Sequence, residues 1–266
     1  MTNMESTDYV IQVRDLVAHY GDVQILDGVN LDVRRQEIVV IMGGSGSGKT
    51  TLFRHLLGLQ TPTSGTIRIL DQDVSSARKR DLYRLRRNIG VAFQGGALFS
   101  SMSLLDNVEL PLRQNTALDE NTIRIMARMK LELMNLNGCE DMMPAQLSGG
   151  MAKRAGLARA VVMDPKLLFF DEPSAGLDPI TAAELDDLIL KLRDALRMTI
   201  VVVTHELQSA MKIADRIVVI DRGRVLTSGT VDEVRNSSNA HIQNMLARRP
   251  REANVDPEDY LGRLTR

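Results

Sequence analysis

Residues 43–50 read Gly-Gly-Ser-Gly-Ser-Gly-Lys-Thr, and this stretch restricts the possible folds more than any other part of the chain. It matches G-x-x-x-x-G-K-[ST], a pattern that carries meaning only between a buried strand and the start of a helix. Both neighbours are present. Ile38, Val39, Val40, Ile41 and Met42 form an uninterrupted apolar run of strand type, and the residues from Thr51 to Leu57 open a helical pattern. Gly43, Gly44, Gly46 and Gly48 let successive backbone N–H groups converge on one anion, and the positive end of the helix dipole adds to the attraction. The spacing therefore predicts a phosphate cradle made by Gly43, Gly44, Ser45, Gly46, Ser47, Gly48, Lys49, Thr50 and Thr51. Within it Lys49 is placed for the terminal phosphates of a nucleotide, and the Thr50 hydroxyl for Mg²⁺.

A second constellation follows from the same logic. Leu167, Leu168, Phe169 and Phe170 read as a buried strand, and Asp171 and Glu172 come where that strand emerges. Open α/β sheets bind their ligands at the carboxyl edge of the strands. Asp171 suits Mg²⁺, held directly or through water, because a hard cation prefers oxygen ligands. Glu172 suits a role in orienting and polarising the water that attacks a γ-phosphate. Residues 147–151, Leu-Ser-Gly-Gly-Met, form another glycine-rich entry into a helix, with the Ser148 hydroxyl and the backbone N–H groups of Gly149 and Gly150 at its positive end. Physical chemistry alone allows either an anion site or a simply capped helix there.

Composition narrows the setting. With 266 residues the chain suffices for one large domain or two modest ones, and 44 % hydrophobic with 25 % charged residues is ordinary for a globular protein. A formal net charge of −1 gives no bulk attraction to nucleic acid or to an anionic membrane, so no nucleic-acid partner is expected. The single cysteine, Cys139, excludes an intrachain disulfide and fits a reducing compartment. No apolar run approaches the roughly 18–20 residues that span a bilayer. Residues 1–8 are polar and lack a signal-peptide apolar region, so the chain is expected neither to cross a membrane nor to enter the secretory route by itself.

Along the chain, β-type runs over 10–33 with turn signals at Tyr20-Gly21-Asp22 and Asp27-Gly28 predict an antiparallel ribbon. A turn at 61–65 precedes a strand at 66–70, a basic surface helix spans 78–87, and a buried strand at 89–93 ends at Gln94. From about 97 to 162 the pattern is helical, broken by a loop at 137–146, with the methionines expected as core filling. Strands return at 167–171, 199–204 and 217–221, helices at 179–196 and 207–214, and a last hairpin ends near 228. The expected class is α/β: a mostly parallel sheet covered on both faces, an antiparallel β subdomain before it and an inserted α-helical subdomain at 97–162, all within residues 1–236. Residues 237–266, with Ile242, Met245 and Leu246 on one helical face, are expected as an extension lying on a surface or a partner, outside the main core.

The cradle, Gln94, Leu-Ser-Gly-Gly, Asp171-Glu172, Ser174-Ala175-Gly176-Leu177-Asp178 and Thr204-His205 occur in that order. The ordered set, over about residues 9–234, resembles the nucleotide-binding subunit of an ABC transporter, a P-loop NTPase that uses ATP and Mg²⁺. The resemblance implies a head-to-tail homodimer in which each ATP lies between the P-loop of one copy and the Leu-Ser-Gly-Gly helix end of the other. By the same resemblance Tyr20 stacks on adenine, Gln94 senses Mg²⁺ and links to the membrane subunit, and Ser148, Gly149 and Gly150 contact the opposite copy's γ-phosphate. Asp178 supports the dimer contact and His205 holds the γ-phosphate. Met151 departs from the usual glutamine and removes its amide hydrogen bond, which the phosphate contacts do not need.

Within that family, residues 147–155, 93–99 and 106–108 are similar to the MlaF branch, whose ATPases drive phospholipid movement between the two membranes of Gram-negative bacteria. That likeness implies a MlaE-like permease, a periplasmic lipid-binding MCE-domain protein and a small STAS-domain regulator as partners. It also implies a place at the cytoplasmic face of the inner membrane, held through the permease, and a C-terminal extension reaching across the dimer. Two other readings stand beside it: the ATPase of a small-solute importer, such as one for amino acids, and a soluble ABC ATPase acting on nucleic acid or ribosomes. The last usually carries two cassettes or a long coiled coil, and this chain shows neither.

Overall fold

The computed structural model describes residues 9–249. β1 (Tyr9–Tyr20) and β2 (Val23–Arg34) form the antiparallel ribbon, and β3 (Ile38–Met42) runs through the glycine loop into α1 (Lys49–Leu56). β4 (Ser64–Ile69), the short β5 (Gln72–Asp73), α2 (Lys79–Arg86) and β6 (Ile89–Ala92) follow. The helical segment holds α3 (Leu104–Asn115), α4 (Glu120–Leu133), a 3-10 turn at Pro144–Gln146 and α5 (Gly149–Val161). The chain then alternates through β7 (Leu167–Asp171), α6 (Pro179–Leu196), β8 (Thr199–Val203), α7 (Leu207–Ile213) and β9 (Arg216–Asp221). β10 (Arg224–Gly229), α8 (Val231–Arg235) and α9 (Ala240–Leu246) complete the described residues.

Two sheets result, one of four strands in the order β2-β1-β4-β5 and one of six in the order β10-β9-β3-β8-β7-β6. The neighbours β9, β3, β8, β7 and β6 are parallel, and β10 closes one edge antiparallel to β9. β3, β7, β8 and β9 carry apolar runs because both of their faces are buried, whereas the edge strand β6 is half-buried at Ile89 and Val91. Ile38, Val40, Leu168, Phe170, Ile200, Val202, Ile217 and Val219 point into a core shared with α3–α7. Their alternates Val39, Ile41, Leu167, Phe169, Val201, Val203, Val218 and Ile220 point into a second core with α1 and the four-stranded sheet. Phe53 of α1 meets Phe169 edge to face, with ring centroids 5.8 Å apart. This two-sided burial directs polar chemistry to the strand ends.

Three expectations need correction. Asp27 and Gly28 are not a turn: they lie inside β2, where the pairing with β1 shifts register between Leu16 and Ala18, so the pair makes a bulge. Among the helical-segment methionines Met134 is fully buried, but Met129 is 62 % exposed and fills no core. Ile242 is fully buried in the core on the α3–α7 side, with Met245 and Leu246 packed against it, so the chain through α9 stays on the main body. The expected tail beyond residue 249, including Arg251, lies outside the described residues.

Helix α5 approaches the loop after Gln94 with no side chain between them. A Cβ on Gly156 would stand 2.8 Å from both the Cα and the carbonyl oxygen of Gly96. Replacing a helical glycine by alanine favours the helix by about 1 kcal/mol, whereas forcing two packed backbones apart costs about 1–3 kcal/mol. Gly156→Ala should therefore lower the melting temperature, while Gly95→Ala, whose Cβ meets nothing within 4 Å, should leave it almost unchanged. Calorimetry on both variants tests this, and a rise for Gly156→Ala would refute the close approach.

Candidate active site

The parallel sheet brings four strand ends to one edge: the loop after β3, Gln94 after β6, Asp171 and Glu172 at β7, and Thr204 and His205 after β8. At the first of these the backbone is crowded at Gly43 and Gly48. A Cβ on Gly43 would lie 2.2 Å from the carbonyl oxygen of Ile220 at the end of β9. Gly48 stands at the N-cap of α1 with φ 104°, a conformation that favours glycine, and contributes no side-chain cap. No acid occupies the first turn, so the free N–H groups of α1 face outward uncompensated.

Lys49 folds back over this loop, its Nζ donating to the carbonyls of Gly43 at 2.8 Å and Gly44 at 2.9 Å. Ser47 is buried, and its Oγ has no hydrogen-bond partner. Ser45, Gly46 and Thr50 are exposed beside it and Thr51 is half-buried. A cationic amine, uncapped N–H groups and an unsatisfied buried hydroxyl together fit a phosphate group. Burial holds the Lys49 amine below the ordinary lysine range, and the Glu172 and Asp171 charges pull it back up. Burial likewise raises the Asp171 carboxyl, helped by Glu172 and opposed by Arg54 and Lys49. A phosphate at Lys49 and a cation at Asp171 would each favour the charged form of its neighbour.

Glu172 is held from the end of β8. Its backbone N–H donates to the Val203 carbonyl at 2.8 Å, and its φ of 48° turns the chain sharply out of β7. The Thr204 hydroxyl donates to Oε2 at 3.0 Å, and His205 Nδ1 lies 2.8 Å from Oε1. The resemblance implies that His205 holds the γ-phosphate; in the structure its ring is engaged with Glu172, and Thr204, part of the same motif but given no role from sequence, joins it as a second orienting group. Gln94 is exposed at the end of β6. The loop it opens is fastened by the buried Asn107, which donates to the carbonyls of Phe99, Met102 and Ser103, and by Arg159, which donates to Gly96.

The remaining expected residues sit elsewhere. Ser148 caps α5, its Oγ accepting from Met151 N–H at 3.2 Å, and Ser148 and Gly149 are exposed. Among the described residues no hydrogen bond or ion pair joins residues 148–150 to the Lys49 loop of the same chain. Asp178 is exposed and caps α6, accepting from Ile180 and Thr181 N–H at 3.1 Å each. Tyr20 is 72 % exposed at the end of β1. Sequence reading missed Lys153, which is buried on α5 and donates to the carbonyls of Glu172, Pro173 and Ala175. Its signal was a lysine sharing a helical face with Gly156 and Leu157, three and four residues on.

The sheet order, the glycine loop and the acidic strand end define a P-loop nucleotide-hydrolysing domain. A family model described as ABC transporter matches residues 26–175. The chain is 42 % identical over 237 residues to the intermembrane phospholipid transport system ATP-binding protein MlaF of Haemophilus influenzae, covering 89 % of this chain and 90 % of that one. It is 38 % identical to the probable ribonucleotide transport ATP-binding protein mkl of Mycobacterium leprae, covering 89 % of this chain and 68 % of that one. Its fold superposes with a TM-score of 0.76 and 31 % identity on the dimeric post-hydrolysis ATP-binding cassette MJ0796 bound to ADP and Pi, over 83 % of this chain and 98 % of that one. The chain belongs to the ABC transporter family, and its site is that of an ATPase.

Charge-assisted hydrogen bonds contribute about 1.5–3 kcal/mol, or roughly a 10- to 150-fold change in affinity. Lys49→Ala should weaken ATP binding by that order and slow hydrolysis as well, since a phosphate contact acts before and during chemistry. Equilibrium binding of a fluorescent ATP analogue checks it; unchanged affinity would remove Lys49 from the cradle.

Proposed function

We propose that the chain is the ATP-hydrolysing subunit of a transporter that moves phospholipid between the inner and outer membranes of a Gram-negative envelope and so maintains outer-membrane lipid asymmetry. The observation that carries this reading is the 42 % identity to a phospholipid-transport ATPase across nine-tenths of both chains. Two copies act head to tail, a reading supported by the dimeric state of the cassette it superposes on and by the exposure of Ser148 and Gly149 away from the chain's own Lys49 loop. Each copy supplies the cradle of residues 43–51 and Glu172 to one ATP, and Ser148, Gly149 and Gly150 to the other. Tyr20, exposed beside the ribbon, offers its ring to the adenine, and Asp178 stands at the dimer contact.

Thr50, Gln94 and Asp171 present the oxygen donors that suit Mg²⁺, whose charge would neutralise the phosphate oxygens as the terminal phosphoryl group leaves. Lys49 orients the terminal phosphates. Glu172, kept in one rotamer by Thr204 and His205, positions the attacking water and accepts its proton. Closing and opening of the dimer are read by a MlaE-like permease, with a periplasmic MCE-domain protein and a STAS-domain regulator completing the assembly at the cytoplasmic face of the inner membrane. Among the described residues no helix is long and apolar enough to cross a membrane, so attachment through the permease supplies the membrane link. The permease meets the surface from Gln94 to Leu112, where a groove of about 560 Å³ is lined by Phe93, Ala97, Phe99, Leu110, Pro111 and Tyr83.

A second reading, transport of a small solute, draws on the likeness to the mycobacterial protein. Purification of the chain from native membranes separates the two: a permease arriving with a periplasmic lipid carrier supports phospholipid, and one arriving with a solute-binding protein overturns it. Glu172→Gln should keep ATP affinity and lower hydrolysis by on the order of a hundredfold or more. Undiminished turnover in that variant, measured as phosphate release, would exclude Glu172 from activating water.

A further inference from the structure

Helix α5 begins with Ser148, Gly149 and Gly150 and buries Lys153 one turn later, at 6 % exposure. An ammonium group has three donors, and here all three are used on backbone carbonyls: Pro173 at 2.6 Å, Ala175 at 2.6 Å and Glu172 at 3.2 Å. No carboxylate lies within ion-pair distance of it among the described residues. The charge is balanced by the carbonyl dipoles of one loop, the loop that begins with Glu172 and ends at Asp178. Burial depresses its pKa, and the Glu172 charge partly opposes this. A methionine of similar volume would fill the same space without desolvating a charge, so what the lysine adds is a fixed position for that loop.

The opposite side of the loop is held separately. The Ser209 hydroxyl on α7 donates to Asp186 Oδ1 on α6 at 2.7 Å and lies 3.2 Å from Ser174 Oγ, all three residues being buried. This second anchor belongs to helices that follow the loop and does not involve α5. Gly149 and Gly150 also pack near Leu177 and Thr181, but it is Lys153 that hydrogen-bonds the start of α5 to the backbone that carries Glu172. The distance along the helix from Ser148 to Lys153 is about 7.5 Å, less than two turns, over which an α-helix moves as a rigid piece.

We propose that Lys153 is a positioning residue that couples the two ATP sites of the dimer, transmitting the seating of Ser148, Gly149 and Gly150 on one nucleotide to the Glu172 that serves the other. This rests on the head-to-tail dimer proposed above. In that arrangement the start of α5 meets the partner copy's ATP, while Glu172 of the same chain acts on the ATP in its own cradle. A shift of α5 on nucleotide contact moves the Lys153 amine, and the three carbonyls follow, setting the Glu172 carboxylate for water. Hydrolysis at each site then depends on occupancy of both.

The test uses the full chain in its membrane assembly, with wild type, Lys153→Met, Lys153→Arg and Ser209→Ala compared. Phosphate release against ATP concentration gives kcat and the Hill coefficient, and a fluorescent ATP analogue gives affinity. Wild type should show a Hill coefficient between 1 and about 2, the ceiling for two sites. Lys153→Met should bind ATP within about twofold of wild type, lose on the order of tenfold to a hundredfold in kcat, and fall to a Hill coefficient of 1. Lys153→Arg, which keeps charge and donors, should restore cooperativity above 1, whereas Ser209→Ala should keep the wild-type Hill coefficient. If Lys153→Met does not fold, Lys153→Gln carries the same readout without the charge. A wild-type Hill coefficient retained in the neutral variant, or lost equally in Ser209→Ala, overturns the coupling. A wild-type dimer that hydrolyses without cooperativity overturns it too, whereas only monomers by sedimentation in an active assembly overturn the dimer reading beneath it.

Discussion

Burial of both faces of the parallel strands is the constraint from which the rest of the molecule follows. Each of β3, β7, β8 and β9 sends alternate side chains into two different cores, so neither face can host a charge without disrupting a hydrophobic layer. Chemistry is displaced to the strand ends, and because the strands are parallel those ends coincide. Gly43, Gln94, Glu172 and His205, far apart in the chain, meet there without any of them being placed by a long loop. The close pairing of β7 with β8, in register from Leu167 opposite Thr199 to Asp171 opposite Val203, brings Thr204 and His205 onto Glu172.

A second level of organisation is carried by α5. Its first turn presents Ser148, its buried face grips the loop after β7 through Lys153, and its Gly156 and Arg159 touch the loop after β6. One helix thus contacts two of the strand-end loops of the candidate site while its own start faces outward. The helical segment is therefore not an appendage on the sheet: the close backbone approach at Gly156 and the three carbonyls at Lys153 tie it to the residues that perform hydrolysis.

Much of this was legible in the residues because the physical signals were local. Continuous apolar runs marked the doubly buried strands, and β7 and α6 fall at the expected limits, 167–171 and 179–196. The structure adds that Asp178 caps α6 ahead of a first-position proline, a local signal that agrees with the expected start. What escaped was set by tertiary contact. Asp27 and Gly28 have turn chemistry, but pairing of β1 and β2 on both sides absorbs them as a bulge. Met129 shares the helical spacing of buried neighbours yet lies on the outer side of α4, and Ile242 follows a polar stretch yet is drawn into the core. Lys153 was hardest to see, since lysine next to a glycine-rich helix start reads as surface charge; only the position of the loop after β7 turns it inward.

The Lys49 amine rests on the carbonyls of Gly43 and Gly44 within its own loop. An incoming anion therefore substitutes for two existing hydrogen bonds, and the net gain is the difference between charged and neutral acceptors. Species presenting little negative charge to that amine gain almost nothing from the exchange. A loop held in shape by its own lysine thus favours ligands anionic enough to lift that amine away.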